Sequence, residues 1–475
     1  MFQNVAIIGS GFLGLTLALR LSDAGAKVTV FESASEIGGL ASAWQIGDVV
    51  WDKHYHVTLL SDSFTRKIVE EIGLQDEFNW VETKTGFYTD GKLVSMSNSL
   101  EFLKFPPLDL VSKFRLGGTI FYASRVKDWK ALEKISVEDW LVRFSGRRTF
   151  EKMWKPLLKA KLGEAYKETS AAFIWATIAR MYAARNSGLK REMFGYVRGG
   201  YARVLERFGE YLRKKGVEIC LNSQVSEIIK DGEKLTVIFN AKAQRRKDAK
   251  DLAFQVSDCK LQNNIQSESL SFKNQAEFEI SHIKSEIDKD QFDQVILTCP
   301  SNVAAKIVPQ LTEAEKVKLT NIKYQGIVCA SILMKKSLSD FYVTNITDET
   351  PFTGIIEMSA LVDKAEFGGN ALVYLPKYVA PDDELFEKTD ALIEEIFITA
   401  LEKMYPHFRR EDVLAFKISR VRQVFPIPTL NYSANLPPIK TSLENVFIVN
   451  SAHIVNGTLN VDETVQLAER FFKEL

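Results

Sequence analysis

A chain of 475 residues with 46% hydrophobic residues exceeds what one ordinary core accommodates, so two domains around a large buried interior are expected and a disordered or fibrous chain is excluded. Lys plus Arg and Asp plus Glu both total 61; the formal net charge of zero offers no broad field to attract nucleic acid, so any partner is recognised locally. Cys220, Cys259, Cys299 and Cys329 lie far apart with no CxxC spacing, which suits reduced thiols in a cytoplasmic compartment rather than a disulfide framework or a zinc site.

The apolar run from Val5 to Leu19 is not read as a signal peptide, because no basic residue precedes it and glycines interrupt it. Nowhere else do about 18 uncharged apolar residues run together, so no transmembrane helix is expected. Val5-Ala-Ile-Ile8 has the continuous apolar character of a buried parallel strand and leads into Gly9-Ser-Gly11-Phe12-Leu13-Gly14. Gly9 permits a tight turn, Gly11 lets the backbone approach a pyrophosphate, and Gly14 lets the next helix pack closely on the strand. The N-terminus of that helix attracts phosphate. Residues 15 to 24 have helix-forming character, Gly25 is placed to end the helix, and Lys27 to Phe31 reads as a second strand with Glu32 at its end. An acid there accepts hydrogen bonds from adenosine ribose hydroxyls. Strand, glycines, helix, strand and acid in this order point to a dinucleotide, against the alternative of an ordinary glycine-rich turn.

The next segment, Ser33-Ala-Ser-Glu-Ile-Gly38-Gly39-Leu40-Ala41-Ser42, reads by itself as a surface turn. It also resembles the paired-glycine extension of the amine oxidase, protoporphyrinogen oxidase and phytoene desaturase superfamily of flavoproteins. That resemblance implies FAD, with the paired glycines against its pyrophosphate and ribityl region and Ser42 at a small hydroxyl position. Trp51-Asp-Lys-His54-Tyr55-His56 holds two of the five histidines. In relatives the chain passes near the isoalloxazine here, so His54 or His56 is a candidate for proton transfer at neutral pH, weighed against a structural histidine. No Cys or acid at a standard spacing completes a metal site. Trp51 to Asp62 also loosely resembles UDP-galactopyranose mutases, which gives an alternative function: a flavin-dependent isomerase acting on a nucleotide sugar.

Residues 100 to 190 read as mostly helical, with a capping box expected at Ser136-Val-Glu-Asp139. The aromatic and basic stretch Phe102 to Trp129 reads first as a substrate-tunnel wall or ordinary packing, and as the alternative has the composition of a peripheral membrane element. Trp154-Lys-Pro-Leu-Leu-Lys-Ala-Lys161-Leu-Gly163 resembles the "W-x-P-L-L-x-x-K-x-G" signature of a protoporphyrinogen-oxidase-like branch of NAD(P)/FAD-dependent oxidoreductases. Arg198-Gly-Gly-Tyr201, the helical pattern Val204 to Leu212 and the strand Val217 to Leu221 resemble the superfamily's return to the FAD domain, with Val225 at the position whose backbone meets adenine. Residues 241 to 290 change character, with Lys242, Arg245, Arg246, Lys247, Asp248, Lys250 and Asp251 crowded together, and read as a solvated insertion in a hairpin.

Phe292 to Pro300 reads as one buried strand. Tyr324, Glu357 and Tyr432 are candidates to flank or orient a substrate, each also readable as core or surface, and no catalytic base is identified. Asn445 to Val449 reads as a last strand and Asp462 to Leu475 as a packed helix. Asn450-Ser451 replaces the Gly-Asp pair of many relatives but can still donate to phosphate, while Leu459 and Asn460 belong to a segment that in relatives runs past the flavin ring. His453 is a further candidate beside the flavin.

The resulting expectation is α/β: a Rossmann-like FAD-binding domain built from residues 1–60, 195–305 and 420–475, with an inserted α+β substrate domain and helical region at 61–194 and 306–419. The implied cofactor set is Gly9, Gly11, Phe12, Leu13, Gly14, Glu32, Ser33, Gly38, Gly39, Leu40, Ala41, Val225, Asn450, Ser451, Leu459 and Asn460. The catalytic candidates are His54, His56 and Tyr324. The expected activity is dehydrogenation of a C–N or C–C bond of a small organic substrate.

Overall fold

A computed structural model describes residues 3–185, 193–241, 286–455 and 458–475. The centre is a five-stranded parallel sheet ordered Glu218–Cys220, Lys27–Phe31, Asn4–Ile8, Gln294–Leu297, Val446–Ile448. The inner strands are buried on both faces, which is why they read as unbroken apolar runs rather than as alternations. One face packs on helices Phe12–Asp23, Gly200–Lys214 and Val461–Glu474. In the second of these, Tyr201, Val204, Leu205, Phe208 and Leu212 form the buried stripe at helical spacing; full burial of a side chain such as Phe208 contributes about 1.5–3 kcal/mol. Arg20 braces this layer, donating to Glu71 at 2.7 Å and to Glu469 at 2.7 Å.

The other face is covered by an antiparallel sheet of Ser223–Asp231, Lys234–Ala241 and Glu286–Phe292. Ala241 and Glu286 pair directly across its end, so residues 242–285, with most of the expected insertion and Cys259, connect neighbouring strand ends and lie outside the described residues. The single strand expected over Phe292–Pro300 is two. Asp293 interrupts it, its carboxylate accepting from the Asn4 amide at 3.0 Å, and the chain passes there from the antiparallel to the parallel sheet.

A seven-stranded sheet, ordered Val413–Pro426, Tyr324–Met334, Ala371–Val379, Gly354–Glu357, Phe341–Ile346, Lys84–Thr89, Lys92–Ser95, forms the second body. Its strand Val413–Pro426 runs across the boundary expected at residue 420 and belongs wholly to this sheet. Helix Asp390–Met404 covers one face and the helices between residues 99 and 185 cover the other. Ser136 caps Val137–Ser145 by accepting from the Asp139 amide at 3.0 Å, but the Asp139 carboxylate accepts from the Ser136 hydroxyl rather than from its backbone, so the capping box is half formed.

The stretch Phe102 to Trp129 splits by face. Phe105, Leu116 and Ala123 are core, whereas Leu110, Val111, Phe121 and Tyr122 are exposed and Phe114 is 74% exposed. Among the described residues no helix is long and apolar enough to cross a membrane.

Candidate active site

The site begins where the first strand turns into the first helix. Gly9 has φ +109°, a left-handed value that favours glycine, and a Cβ on Gly14 would stand 2.0 Å from the Gly9 carbonyl oxygen. Gly11 precedes the helix without any side-chain cap, and nothing lies within 4 Å of the place its Cβ would take. The first-turn N–H groups, those of Phe12, Leu13 and Gly14, have no intrahelical acceptor and stand at the positive end of the helix dipole. Gly38 and Gly39 have φ of +113° and +57° and open a 3-10 turn through Leu40 and Ala41. Gly38 donates to the Ser10 carbonyl at 2.9 Å and bridges Gly11, while a Cβ on Gly39 would come 3.4 Å from the Gly11 Cα. Two glycine loops therefore lie against each other over an uncapped helix end. This glycine-lined, donor-rich cradle fits the pyrophosphate of a dinucleotide.

Glu32 sits at the end of the second strand. Its Oε2 accepts from the Ser10 amide at 2.9 Å and hydroxyl at 2.7 Å, and its Oε1 accepts from the Ala34 amide at 2.9 Å and the Ser33 hydroxyl at 3.2 Å. Val225 is buried at a bulge in its strand, among the residues packed beside Ile8 and Phe31. Asn450 is 1% exposed; its Nδ2 donates to the Cys299 carbonyl at 2.9 Å and the Ser301 hydroxyl at 3.2 Å, and its Oδ1 accepts from the Ala452 amide. Both amide hydrogens are taken, so half-buried Ser451 is the side chain of that pair left to meet a phosphate. Asn460 caps helix Val461–Glu474 by accepting from the Glu463 amide at 3.0 Å, and Leu459 packs against the helical region's core.

His54 joins the two bodies. Its Nδ1 donates to the Leu40 carbonyl at 3.2 Å, which leaves Nε2 to accept from the Ser419 hydroxyl at 3.1 Å. Burial lowers its pKa to about 4. His56 stands 3.9 Å from the Asp52 carboxylate and against the Tyr201 ring; burial, then the neighbouring His54, lowers its pKa to about 3. Both imidazoles are therefore neutral well below pH 7, and neither environment favours the proton-transfer role expected of them at neutral pH. His453 is likewise buried, its pKa lowered by desolvation, with Nε2 3.2 Å from the Pro437 carbonyl. Burial raises the Asp52 pKa, while its carboxylate accepts from the Tyr201 amide at 2.8 Å at the start of helix Gly200–Lys214. Among the described residues no three His, Cys, Asp or Glu side chains are grouped to hold a metal.

The substrate-domain candidates separate. The Tyr324 hydroxyl accepts from the Ser301 amide at 3.0 Å and donates to the Ser301 hydroxyl at 3.2 Å, and the Tyr432 hydroxyl donates to the Ala452 carbonyl at 2.9 Å; both side chains are buried ties between the two bodies. Glu357 is on the wrong face to meet a substrate. Strand alternation turns Ile356 toward the helical region and Glu357 toward helix Asp390–Met404, where its carboxylate accepts from the Leu338 amide and the Ser359 hydroxyl.

Sequence reasoning missed a set of side chains on the face of the seven-stranded sheet that packs against the helical region. Lys161 donates to the Tyr378 hydroxyl at 2.7 Å and stands 3.9 Å from the Tyr378 ring centroid and 4.9 Å from that of Phe425. Tyr378 is 2.8 Å from the Tyr55 hydroxyl, and Tyr55 packs against Tyr374. The signals were present, Lys161 in the quoted signature and Tyr55 between two histidines, but periodicity does not pair residues 217 and 323 positions apart.

The parallel sheet, paired glycine loops and terminal acid define a dinucleotide-binding fold joined to a substrate domain. Within that class, the chain belongs to the family of flavin containing amine oxidoreductases, matched over residues 14–251 and 272–466, and FAD is its cofactor. It is 26% identical over 260 residues to a zeta-carotene desaturase of Synechocystis sp., covering 49% of this chain and 52% of the relative. It is 27% identical over 164 residues to the chloroplastic/mitochondrial protoporphyrinogen oxidase 2 of Arabidopsis thaliana, covering 33% and 32%. The chain thus spans about half or less of the length of these curated relatives. A solved structure described as a putative protoporphyrinogen oxidase from Exiguobacterium sp. 255-15 superposes with a TM-score of 0.70 at 14% identity, covering 99% of this chain and 98% of that one, which establishes the shared fold.

Proposed function

We propose that the protein dehydrogenates a C–N or C–C bond of a small organic substrate at the junction between the glycine cradle and the seven-stranded sheet. The observation that carries this reading is the cradle itself, in which the 2.0 Å approach to Gly9 forbids any side chain at Gly14 while the space beyond Gly11 stays open. Gly9, Gly11, Gly14, Gly38 and Gly39 and the amides of Phe12, Leu13 and Leu40 would hold the pyrophosphate and ribityl chain, with buried Ala41, whose own amide donates to the Gly38 carbonyl, beside them. Glu32, once the Ser33 hydroxyl turns from it to the ribose, would accept a ribose hydroxyl, Val225 would border the adenine, and Ser451, Leu459 and Asn460 would close the far end. FAD when bound supplies the two-electron acceptor for the dehydrogenation.

The protein's own residues position and exclude. His54 pins the Leu40 loop to Ser419, and the surrounding apolar side chains keep water from the reacting bond. The exposed face carrying Val111, Phe114 and Phe121, beside Lys104, Arg115 and Arg125, is proposed as a peripheral contact with an anionic lipid surface. A cytoplasmic location is part of the same proposal. The isomerase alternative, resembling UDP-galactopyranose mutases, finds no specific support in the relatives named above. Anaerobic addition of candidate amines and partly saturated polyenes to the FAD-loaded protein tests the reading. Loss of the oxidised flavin absorption with one of them is expected; reduction only by dithionite, followed by isomerisation of a nucleotide sugar, contradicts it.

A further inference from the structure

The cage around Lys161 is built from hydrogen-bond donors and ring faces. On the same helix, Lys155 pairs with Glu151 at 2.8 Å and Lys159 with Glu164 at 2.7 Å. Lys161 is half-buried and, among the described residues, has no carboxylate partner. An ammonium has three N–H donors and no acceptor, and only one here is used, on Tyr378. The Tyr378 hydroxyl accepts from Lys161 and shares a hydrogen bond with the Tyr55 hydroxyl in which either oxygen can be the donor; with Tyr378 donating, the Tyr55 O–H is left to donate onward. Gln325 lies opposite Phe425 across the sheet, is 2% exposed, and its buried amide nitrogen has no partner among the described residues. That nitrogen is 3.6 Å from the place a Cβ of Gly163 would take, two residues beyond Lys161.

Two donors without an acceptor, the Lys161 ammonium and the Gln325 amide nitrogen, select a ligand rich in acceptors. We propose that Lys161, Gln325 and Tyr55, over the rings of Tyr378 and Phe425, hold an oxyanion of the substrate, a carboxylate or a phosphate ester carried on an apolar body. The inference rests on the proposed function and narrows its substrate class. A cationic amine would meet the Lys161 charge with its ring faces already taken, and the nearby acids give it no counter-charge. Glu357 lies on the opposite face of the sheet, and Asp52 is committed to the Tyr201 amide. Tyr55 follows His54, which is bonded to Leu40, so an anion held here keeps the rest of the substrate beside the flavin loop.

The test uses the FAD-loaded protein titrated with benzoate, phenyl phosphate and benzylamine at neutral pH, followed by flavin absorption and by calorimetry. Saturable binding of benzoate or phenyl phosphate is expected, at least about tenfold tighter than benzylamine, and whichever anion binds better identifies the group. Lys161→Met should weaken that anion about tenfold or more. Lys161→Arg should restore most of it, and Gln325→Leu should weaken it severalfold. Unchanged FAD absorption and melting temperature in these variants show that they fold. No anion binding by the parent protein, tightest binding by benzylamine, or undiminished anion binding by Lys161→Met overturns the proposal. A folded protein that takes up no FAD defeats the functional reading instead, and calorimetry still reads the anion site in that case.

Discussion

The imidazole of His54 is hydrogen-bonded at 3.2 Å to the carbonyl of Leu40, fourteen residues earlier and directly after the paired glycines. Because the carbonyl only accepts, this bond fixes the proton on Nδ1, and the Ser419 hydroxyl completes the tie from the seven-stranded sheet. One neutral histidine therefore sets the flavin loop against the substrate domain.

Replacing His54 with Ala should loosen that loop and weaken FAD binding about tenfold, corresponding to about 1.4 kcal/mol, the usual scale of a buried hydrogen bond. His54→Asn should recover part of the loss. Titration of the apoprotein with FAD reads both, and a wild-type affinity in His54→Ala would contradict the tie.

The same burial predicts acid sensitivity. Folded pKa values of about 4 for His54 and about 3 for His56 lie below the ordinary value of 6.5. The unfolded chain therefore binds more protons than the folded one between those limits, and stability falls as pH drops through that window. By pH 5 each histidine should cost about 2 kcal/mol relative to neutral pH. Denaturant unfolding at pH 7, 6 and 5 checks this, and His56→Gln should flatten the slope.

Glu357 acts in the opposite direction. Burial raises its pKa to about 7, above the usual 4.5, so the folded protein binds the extra proton and stability from this group is full below 4.5 and lost as pH rises toward 7. The change is on the order of 3 kcal/mol. Glu357→Gln should be more stable than the parent at pH 8 and no more stable at pH 4.5, as read by melting temperature.

Phe114, 74% exposed on the outer face of its helix, should enter an anionic vesicle. Phe114→Ser should lower sedimentation with phosphatidylglycerol vesicles several-fold while leaving the melting temperature within a degree or two, because the side chain contributes little to the core. Equal sedimentation of both proteins would remove this face from the account.

Much of the dinucleotide cradle was legible because its demands are local. Gly9 needs a positive φ, Gly14 has no room for a Cβ, and the acid at Glu32 follows the second strand by register alone. The break at Asp293 was not legible, because Phe292 and the run from Val295 read as one apolar strand and only tertiary pairing assigns them to different sheets. Glu357 misled for a related reason. Which face a residue takes depends on where the strand begins, and Gly354–Glu357 is four residues long, too short for an alternation to show. The Lys161, Tyr378 and Tyr55 contacts depend on three separate elements meeting, which no local pattern encodes.

The central claim is that the space beyond Gly11 receives the phosphates of FAD. Gly11 has φ −66° and no atom near its would-be Cβ, so Gly11→Asp is free of strain and places a good helix-capping residue. Titration of parent and variant apoproteins with FAD, followed by absorption near about 450 nm, is the direct measurement. The account predicts that the parent binds one FAD while Gly11→Asp folds with an equal or higher melting temperature and loses FAD affinity at least about a hundredfold, its carboxylate occupying and repelling the phosphate position. A variant that binds FAD as the parent does, or a well-folded parent that stays colourless when offered FAD, would contradict it.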